Sequence, residues 1–299
     1  MALVPFDDRD GHIWWDGELL PWRDANLHLL SHGLHYASAV FEGERCYSGN
    51  VFKLRAHTER LINSARILGF EIPWTADEID AACIATLEAN GLTEAYVRPI
   101  AWRGTEQLSV SAQLTKIHLA IAVWPWPNLF GADRMKGVRL GMATWRRPHP
   151  QTAPTASKAA GLYMIGTLSK HDAEAAGFDD ALMLDWRGQV AEATGANIFF
   201  AMDGELHTPT PDCFLDGITR RTVMSIARRH QIKVVERVIM PEEMAKASEV
   251  FLAGTAAEVT PVREIAGHTY TPGRITETLL GDYEKLVRMT PDQVNKLAA

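Results

Sequence analysis

The alternation of apolar and polar residues divides this chain into short strands, tight turns and a few amphipathic helices. His12-Ile-Trp-Trp-Asp-Gly-Glu-Leu-Leu-Pro21 reads as strand, Asp-Gly turn, strand. Glu44 to Leu54 reads as a second hairpin, turning at Ser48-Gly-Asn50. Arg55 to Leu68 is a helix, with Leu61, Ala65 and Leu68 at i, i+4 and i+7 on one apolar face and Gly69 ending it. Arg60 lies beside Leu61 at the edge of that face, where a snorkelling arginine and a functional one fit equally well. Thr75-Ala-Asp-Glu78 opens another helix with a capping-box pattern that runs to Asn90-Gly91.

Ala95 to Trp102 and Ile117 to Trp124 read as strands, the second so apolar that burial on both faces is expected. Tyr96 and Arg98 are spaced by two, so their side chains leave one face of the strand and could grip a carboxylate or form a structural ion pair. Two prolines among large aromatics in Trp124-Pro-Trp-Pro-Asn-Leu-Phe-Gly131 exclude regular structure. An interdomain loop is therefore expected over 125–136, between domains 1–124 and 137–299, with Trp126 able to wall a cleft. Beyond it a strand restarts at Val138, and Pro148, Pro150 and Pro154 give an irregular approach to Lys158. An amphipathic helix over Leu162–Ala176, hairpins at 180–192 and 196–209, and a helix opened by Gly217 follow. A strand–turn–strand at 249–262 and a helix from Thr276 to Val287 end the pattern.

The 46% hydrophobic and 22% charged shares describe an ordinary globular chain, and a net charge of −7 disfavours nonspecific nucleic-acid binding. Cys46, Cys83 and Cys213 lie far apart and fit reduced thiols. The acidic N-terminal stretch is unlike a signal peptide and no apolar run reaches transmembrane length, so a cytoplasmic location away from membranes is expected. His28, His32 and His35 lack the carboxylate or thiolate that would complete a metal site, and no metal is expected. Rossmann, P-loop and nucleophile-elbow motifs are all missing.

Candidate chemistry centres on Lys158, in Thr155-Ala-Ser-Lys-Ala-Ala-Gly161, where low-volume neighbours can desolvate an amine. A desolvated amine forms Schiff bases with aldehydes such as that of pyridoxal phosphate. Glu192 would suit a pyridine nitrogen, and the start of the helix at Gly217-Ile218-Thr219, together with Thr255 and Arg60, would suit a phosphate. Taken singly, a surface lysine, an N-cap and a tight turn account for these features better.

Read together, the segments resemble the class IV pyridoxal-phosphate aminotransferases, and within them the bacterial branched-chain amino-acid enzymes. The matching stretches are His32 to Gly43, His57-Thr-Glu-Arg-Leu61, Ala95-Tyr-Val-Arg-Pro99, Thr155-Ala-Ser-Lys158, Glu192 to Phe199, Gly217-Ile-Thr-Arg220 and Gly254 to Val262. The resemblance implies an α/β (α+β type), two-domain fold type IV: a small N-terminal α/β domain and a larger, cofactor-binding, β-barrel-like domain flanked by helices. It implies that Lys158 joins the cofactor aldehyde and moves the substrate proton, that Glu192 meets the pyridine nitrogen, and that Tyr163 meets the phenolic oxygen. Arg60, Gly217, Ile218, Thr219 and Thr255 would hold the phosphate. Gly195 and the Thr255-Ala256-Ala257 turn would receive substrate, Tyr96 and Arg98 a distal carboxylate. Phe41, Trp126 and Tyr36, the last from a neighbouring subunit of at least a dimer, would form the apolar wall.

Leu108-Ser109-Val110 departs from the family's glycine-containing turn, and Leu129 falls where some members have tyrosine. The reaction implied is amino transfer between Leu, Ile or Val and 2-oxoglutarate. The alternatives are a D-amino-acid or (R)-amine transaminase, an aminodeoxychorismate-lyase-like enzyme, and a phosphate-ligand binding protein without catalysis.

Overall fold

The computed structural model describes residues 4–126, 134–290 and 293. Leu129 and most of the loop expected over 125–136 lie outside them. The chain divides into two units, Met1–Pro127 with Ser157–Gly161, and Asn128–Ala156 with Leu162–Ala299. The short segment carrying Lys158 therefore groups with the first unit.

In the first unit, β1 (His12–Trp15) and β2 (Glu18–Pro21) form the expected hairpin. Asp16 and Gly17 at its tip both have positive φ, 48° and 108°, which an Asp-Gly pair adopts at little cost. The short helix α1 (His32–Tyr36) has no counterpart in the apolar pattern and stops at Ala37, whose φ is 54°. Next come β3 (Ala39–Phe41), β4 (Glu44–Tyr47), β5 (Asn50–Val51), α2 (Leu54–Ile67) and α3 (Ala76–Ala89). Thr75 and Glu78 complete the capping box at the head of α3. Long antiparallel strands β6 (Ala95–Arg103) and β7 (Ile117–Pro125) form the centre of a sheet ordered β2-β1-β7-β6-β4-β5, with β3 also on β6. Leu61 and Ala65 of α2, Ile79 and Cys83 of α3, and Leu119 and Ile121 of β7 share its core.

The second unit contains β8 (Val138–Met142), α4 (Met164–Ala175), β9 (Asp180–Leu184), β10 (Val190–Ala193), β11 (Asn197–Met202) and β12 (Glu205–Pro209). It continues through α5 (Ile218–Arg229), β13 (Val234–Arg237), β14 (Glu249–Gly254), β15 (Glu258–Ile265), β16 (His268–Thr269) and α6 (Arg274–Val287). Six strands run β10-β9-β8-β15-β14-β11, and the pairing of Glu192 with Asn197 returns β11 to β10. The result is a closed ring, the barrel-like sheet that the resemblance implied, and closure leaves those six strands no open edge among themselves. Leu140, Leu182, Ile198, Phe200, Leu252 and Val262 share one core. On β11 the side chains alternate, so Phe199 instead stacks on Phe251, 5.0 Å between ring centres. Among the described residues no helix is long and apolar enough to cross a membrane.

Candidate active site

Lys158 is held by its backbone. Its N–H donates to Ser64 Oγ on α2 (3.0 Å), its carbonyl accepts from Phe41 N–H (3.2 Å), and Ser157 Oγ donates to the Ser64 carbonyl (2.9 Å). Val40 and Ala159 form a β-bridge beside them. Small residues around Lys158 make this close approach possible: a Cβ on Gly161 would stand 3.0 Å from Ala37 Cβ. The Lys158 side chain is half-buried, with Nζ 5.0 Å from the centre of the Phe41 ring.

Directly after Phe41 in the chain, the link between β3 and β4 supplies a fully buried carboxylate, Glu42. Arg60 grips it in a fork, Nε to Oε1 at 2.6 Å and Nη2 to Oε2 at 2.8 Å. His57 Nδ1 lies 2.7 Å from Oε2, and Gly43 N–H donates to the same oxygen at 3.2 Å. Burial alone would raise the Glu42 carboxyl, but the Arg60 charge and the hydrogen bonds from Arg60 and His57 outweigh it and hold it far below the usual range. Burial also lowers His57, so the imidazole is neutral and donates from Nδ1 to the ionised glutamate. Glu44, two residues on, behaves oppositely. It is fully buried, neither oxygen has a hydrogen-bond partner among the described residues, and burial with the nearby Glu42 and Asp80 charges holds it well above the ordinary value.

Tyr96 and Arg98 share a face of β6 as their spacing requires, with Arg98 Nη2 3.4 Å from Tyr96 Oη. The Arg98 guanidinium lies 4.8 Å from the Phe41 ring centre, 5.2 Å from Tyr96 and 5.9 Å from Trp124. Trp126 packs on Tyr96, 4.7 Å between ring centres. No carboxylate among the described residues forms an ion pair with Arg98. Gly43 is what admits Tyr96, because a Cβ there would stand 1.9 Å from the phenol oxygen. Tyr36 is exposed and stacks on buried His32 at 4.6 Å, and His32 Nε2 donates to the Ser109 carbonyl at 2.9 Å. The Ser109 hydroxyl bonds the Ser111 carbonyl (2.7 Å), so the side chain that replaces glycine is spent on its own turn.

In the second unit, Glu192 is buried where β10 meets β11. Arg147 Nη2 lies 2.6 Å from Oε1, and Asn197 Nδ2 donates to Oε2 at 3.2 Å. Arg147 is anchored by its backbone N–H on the Leu184 carbonyl (2.8 Å) and a bridge to Asp185. Asn197 Nδ2 also reaches the Leu215 carbonyl (3.0 Å), which ties Glu192 to the approach to α5. Gly217 caps α5 with no side-chain hydrogen bond, so the first-turn amides of a 12-residue helix have no side-chain cap. A Cβ on Gly217 would stand 2.2 Å from Asn197 Oδ1. Ile218 and Thr219 are buried in that first turn, and Thr255, Ala256 and Ala257 form the half-buried turn between β14 and β15. A Cβ on Gly254 would be 3.4 Å from the carbonyl of exposed Gly195. Tyr163 is half-buried at the start of α4.

Within the first unit, Lys158 lies against Phe41 and Arg60 grips Glu42, the next residue in the chain, while Tyr96, Arg98 and Trp126 form a group that shares Phe41. Within the second, Glu192 is joined through Asn197 to the Gly217 turn. Sequence reasoning missed Glu42, His57, Arg147 and Asn197 as site residues, although three of the four lie within or beside the matched stretches. The three N-terminal histidines bond separately: His28 Nδ1 accepts from Leu30 N–H, His32 meets Ser109, and His35 Nε2 meets the Leu29 carbonyl. Asp185, Asp212 and Cys213 have metal-like spacing, but Arg187 pairs both aspartates and burial pushes the Cys213 thiol up to about 12.

The sequence profile of the amino-transferase class IV family matches residues 39–265. The chain belongs to the class IV aminotransferases. As a member of that family it is 42% identical over 288 residues to the branched-chain-amino-acid aminotransferase of Pseudomonas aeruginosa, covering 94% of each chain. Among solved structures it resembles the branched-chain aminotransferase of the archaeon Thermoproteus uzoniensis with norvaline (TM-score 0.90, 37% identity, 96% and 97% of the two chains). It also resembles the branched-chain amino acid aminotransferase of Thermobaculum terrenum in its PLP-form (TM-score 0.87, 31% identity, 96% and 97%). This aminotransferase therefore has the fold type IV architecture, with its mixed α/β content and barrel-like sheet.

Proposed function

We propose that this aminotransferase moves the amino group of L-leucine, L-isoleucine or L-valine to 2-oxoglutarate, giving the branched-chain 2-oxo acid and L-glutamate, with pyridoxal phosphate as cofactor. The observation that carries this reading is Arg98: a guanidinium framed by Phe41, Tyr96 and Trp124, unpaired by any described carboxylate. Such a setting takes the distal carboxylate of glutamate by charge, while the same rings take an aliphatic side chain by burial. One pocket thereby serves two unlike substrates. The names of the relatives point the same way.

The donor set of the second unit fits the cofactor. Glu192 is a carboxylate fixed by Arg147 and Asn197, which suits acceptance of a pyridinium N–H, and the uncapped start of α5 with Thr219 suits a phosphate dianion. When bound, the cofactor supplies an aldehyde that takes the amino group and a ring that accepts the electrons left at the substrate Cα. Lys158 Nζ is the amine that would hold the cofactor aldehyde, and it would act as the base that carries the substrate Cα proton. Tyr163 donates to the phenolic oxygen, and Arg60, Gly217, Ile218, Thr219 and Thr255 bind the phosphate. Gly195 and the amides of Ala256 and Ala257 receive the α-carboxylate. Residues 137–299 are accordingly the large cofactor-binding domain and 1–124 the small one.

The working form is a homo-oligomer, at least a dimer, in the cytoplasm. The support for association is exposed apolar surface in the first unit, with Leu29 at 70%, Val110 at 87% and Leu114 at 79%, and Tyr36 exposed as well. A donor panel with both enantiomers, read as glutamate formed from 2-oxoglutarate, tests the reading. Negligible rates with all three L-donors beside a D-amino acid or an (R)-amine would overturn it.

A further inference from the structure

We propose that Glu42, backed by His57, is the positioning residue for Arg60: it fixes the plane of the guanidinium so that the arginine meets the cofactor phosphate in one orientation. The inference rests on the reading of Arg60 as a phosphate contact and adds what aims it. Arg60 stands on α2 and Glu42 on the link between β3 and β4, 18 residues apart, so the fork between them joins two separately anchored elements. Two parallel N–H···O bonds at 2.6 and 2.8 Å define a plane, where a single bond would leave the arginine free to rotate about it.

The carboxylate itself cannot turn. Its Oε2 also accepts from His57 Nδ1 at 2.7 Å and from Gly43 N–H at 3.2 Å, and Glu42 is fully buried while the Arg60 side chain is 15% exposed. His57 is the neutral donor, so it adds a hydrogen bond without adding a second cation. Glu42 cancels the charge of Arg60 at short range, and its contribution is therefore orientation rather than attraction. Flanking residues reinforce the arrangement, because Gly43 is held against Tyr96 and Phe41 against the carbonyl of Lys158. One buried carboxylate thus sits behind the proposed phosphate contact and next to the residue that carries the lysine.

The test strips the full-length protein of cofactor and titrates it with pyridoxal 5′-phosphate and, separately, with pyridoxal, which lacks the phosphate. Glu42→Gln is expected to weaken pyridoxal phosphate about tenfold, the scale of one charge-assisted hydrogen bond, while pyridoxal binding stays within about twofold. Arg60→Met should show the same phosphate-selective loss, and the double variant should lose no more than Arg60→Met alone. If Arg60→Met is selective and Glu42→Gln binds pyridoxal phosphate as tightly as the parent, the inference fails and the reading of Arg60 stands. If Arg60→Met loses no selectivity, the reading of Arg60 fails first. Equal loss of both ligands in Glu42→Gln would reduce Glu42 to a structural residue and overturn the proposal. Should Glu42→Gln not fold, Glu42→Asp, which keeps the charge and shortens the reach, faces the same two ligands and the same criteria.

Discussion

In the first unit Glu42 is the enclosed member of its ion pair and Arg60 the member that reaches outward, 0% against 15% exposed; in the second, Arg147 and Glu192 are enclosed alike, 9% and 8%. Each is a carboxylate–guanidinium contact of 2.6 Å with a neutral third partner, His57 in one case and Asn197 in the other. The proposed jobs are nonetheless reversed. In one the acid steadies a base that faces the ligand, and in the other the base steadies an acid that does. Ion pairing by itself therefore does not reveal which partner does the chemistry; the elements that hold each side chain do.

The largest expected effects separate chemistry from support. Lys158→Ala should reduce steady-state transamination by at least about 10³-fold and remove the visible absorbance of the bound cofactor. Glu192→Gln should cost less, about 10²-fold in kcat, because it removes a charge and leaves the shape. Near-normal turnover in the lysine variant would dismiss the central assignment.

Removing the arginines tests the comparison through stability. Arg147→Met strips Glu192 of its cation and should cost about 3–5 kcal/mol of unfolding free energy. Arg60→Met should cost less, because Glu42 keeps both His57 and Gly43 N–H. Denaturant melts of the two variants under one condition would reveal a reversed order.

Glu42 and Glu44 predict opposite responses to pH. Glu42 is held below its unfolded value of 4.5, so its contribution to stability is present above that pH and is lost on acidification. Glu44 is held above 4.5, so between that pH and its raised folded value the unfolded chain releases a proton that the folded chain keeps. Stability therefore falls as pH rises, by about 1.4 kcal/mol per unit from this group. Glu44→Leu should flatten that slope and stabilise the neutral-pH protein by about 1–3 kcal/mol, since a buried carboxyl with no hydrogen-bond partner among the described residues is removed. Urea titrations between pH 5 and 8 would contradict this if parent and variant kept parallel slopes.

The smallest effect is expected at the turn behind Tyr36. Ser109→Gly removes only the hydroxyl bond to Ser111 and should change the leucine-to-glutamate KM ratio no more than about threefold, half the scale of a neutral hydrogen bond. A larger change would make the turn a determinant of donor choice.

Much of the fold was legible because its signals are local. Asp16-Gly17, the Thr75–Glu78 box and the glycine ahead of α5 each act within four residues, and the structure has all three. Tyr96 and Arg98 were readable for the same reason, since a two-residue spacing fixes a face. Arg60, by contrast, was undecidable from its helix alone, because its partner arrives from a link 18 residues earlier. Lys158 is tied to Ser64 across 94 residues, and Arg147 reaches Glu192 from an irregular stretch with no period to read. Glu44 looks like any polar residue of a half-buried strand until its depth is seen. The helix at 32–36 escaped because five residues are too few to display a 3.6 period.

The ring of six strands also bears on how the protein is made. β15 lies between β8 and β14, and its Val262 pairs with Val138, more than a hundred residues upstream. A nascent chain that has emerged only through Glu192, Asn197 and Gly217 already carries the acid, its amide support and the helix start, yet has raw sheet edges where β14 and β15 belong. Ribosomal synthesis must reach residue 265 before the scaffold beneath those groups is sealed. A nonsense or frameshift lesion ahead of β15 would thus release an aggregation-prone polypeptide rather than a shortened enzyme.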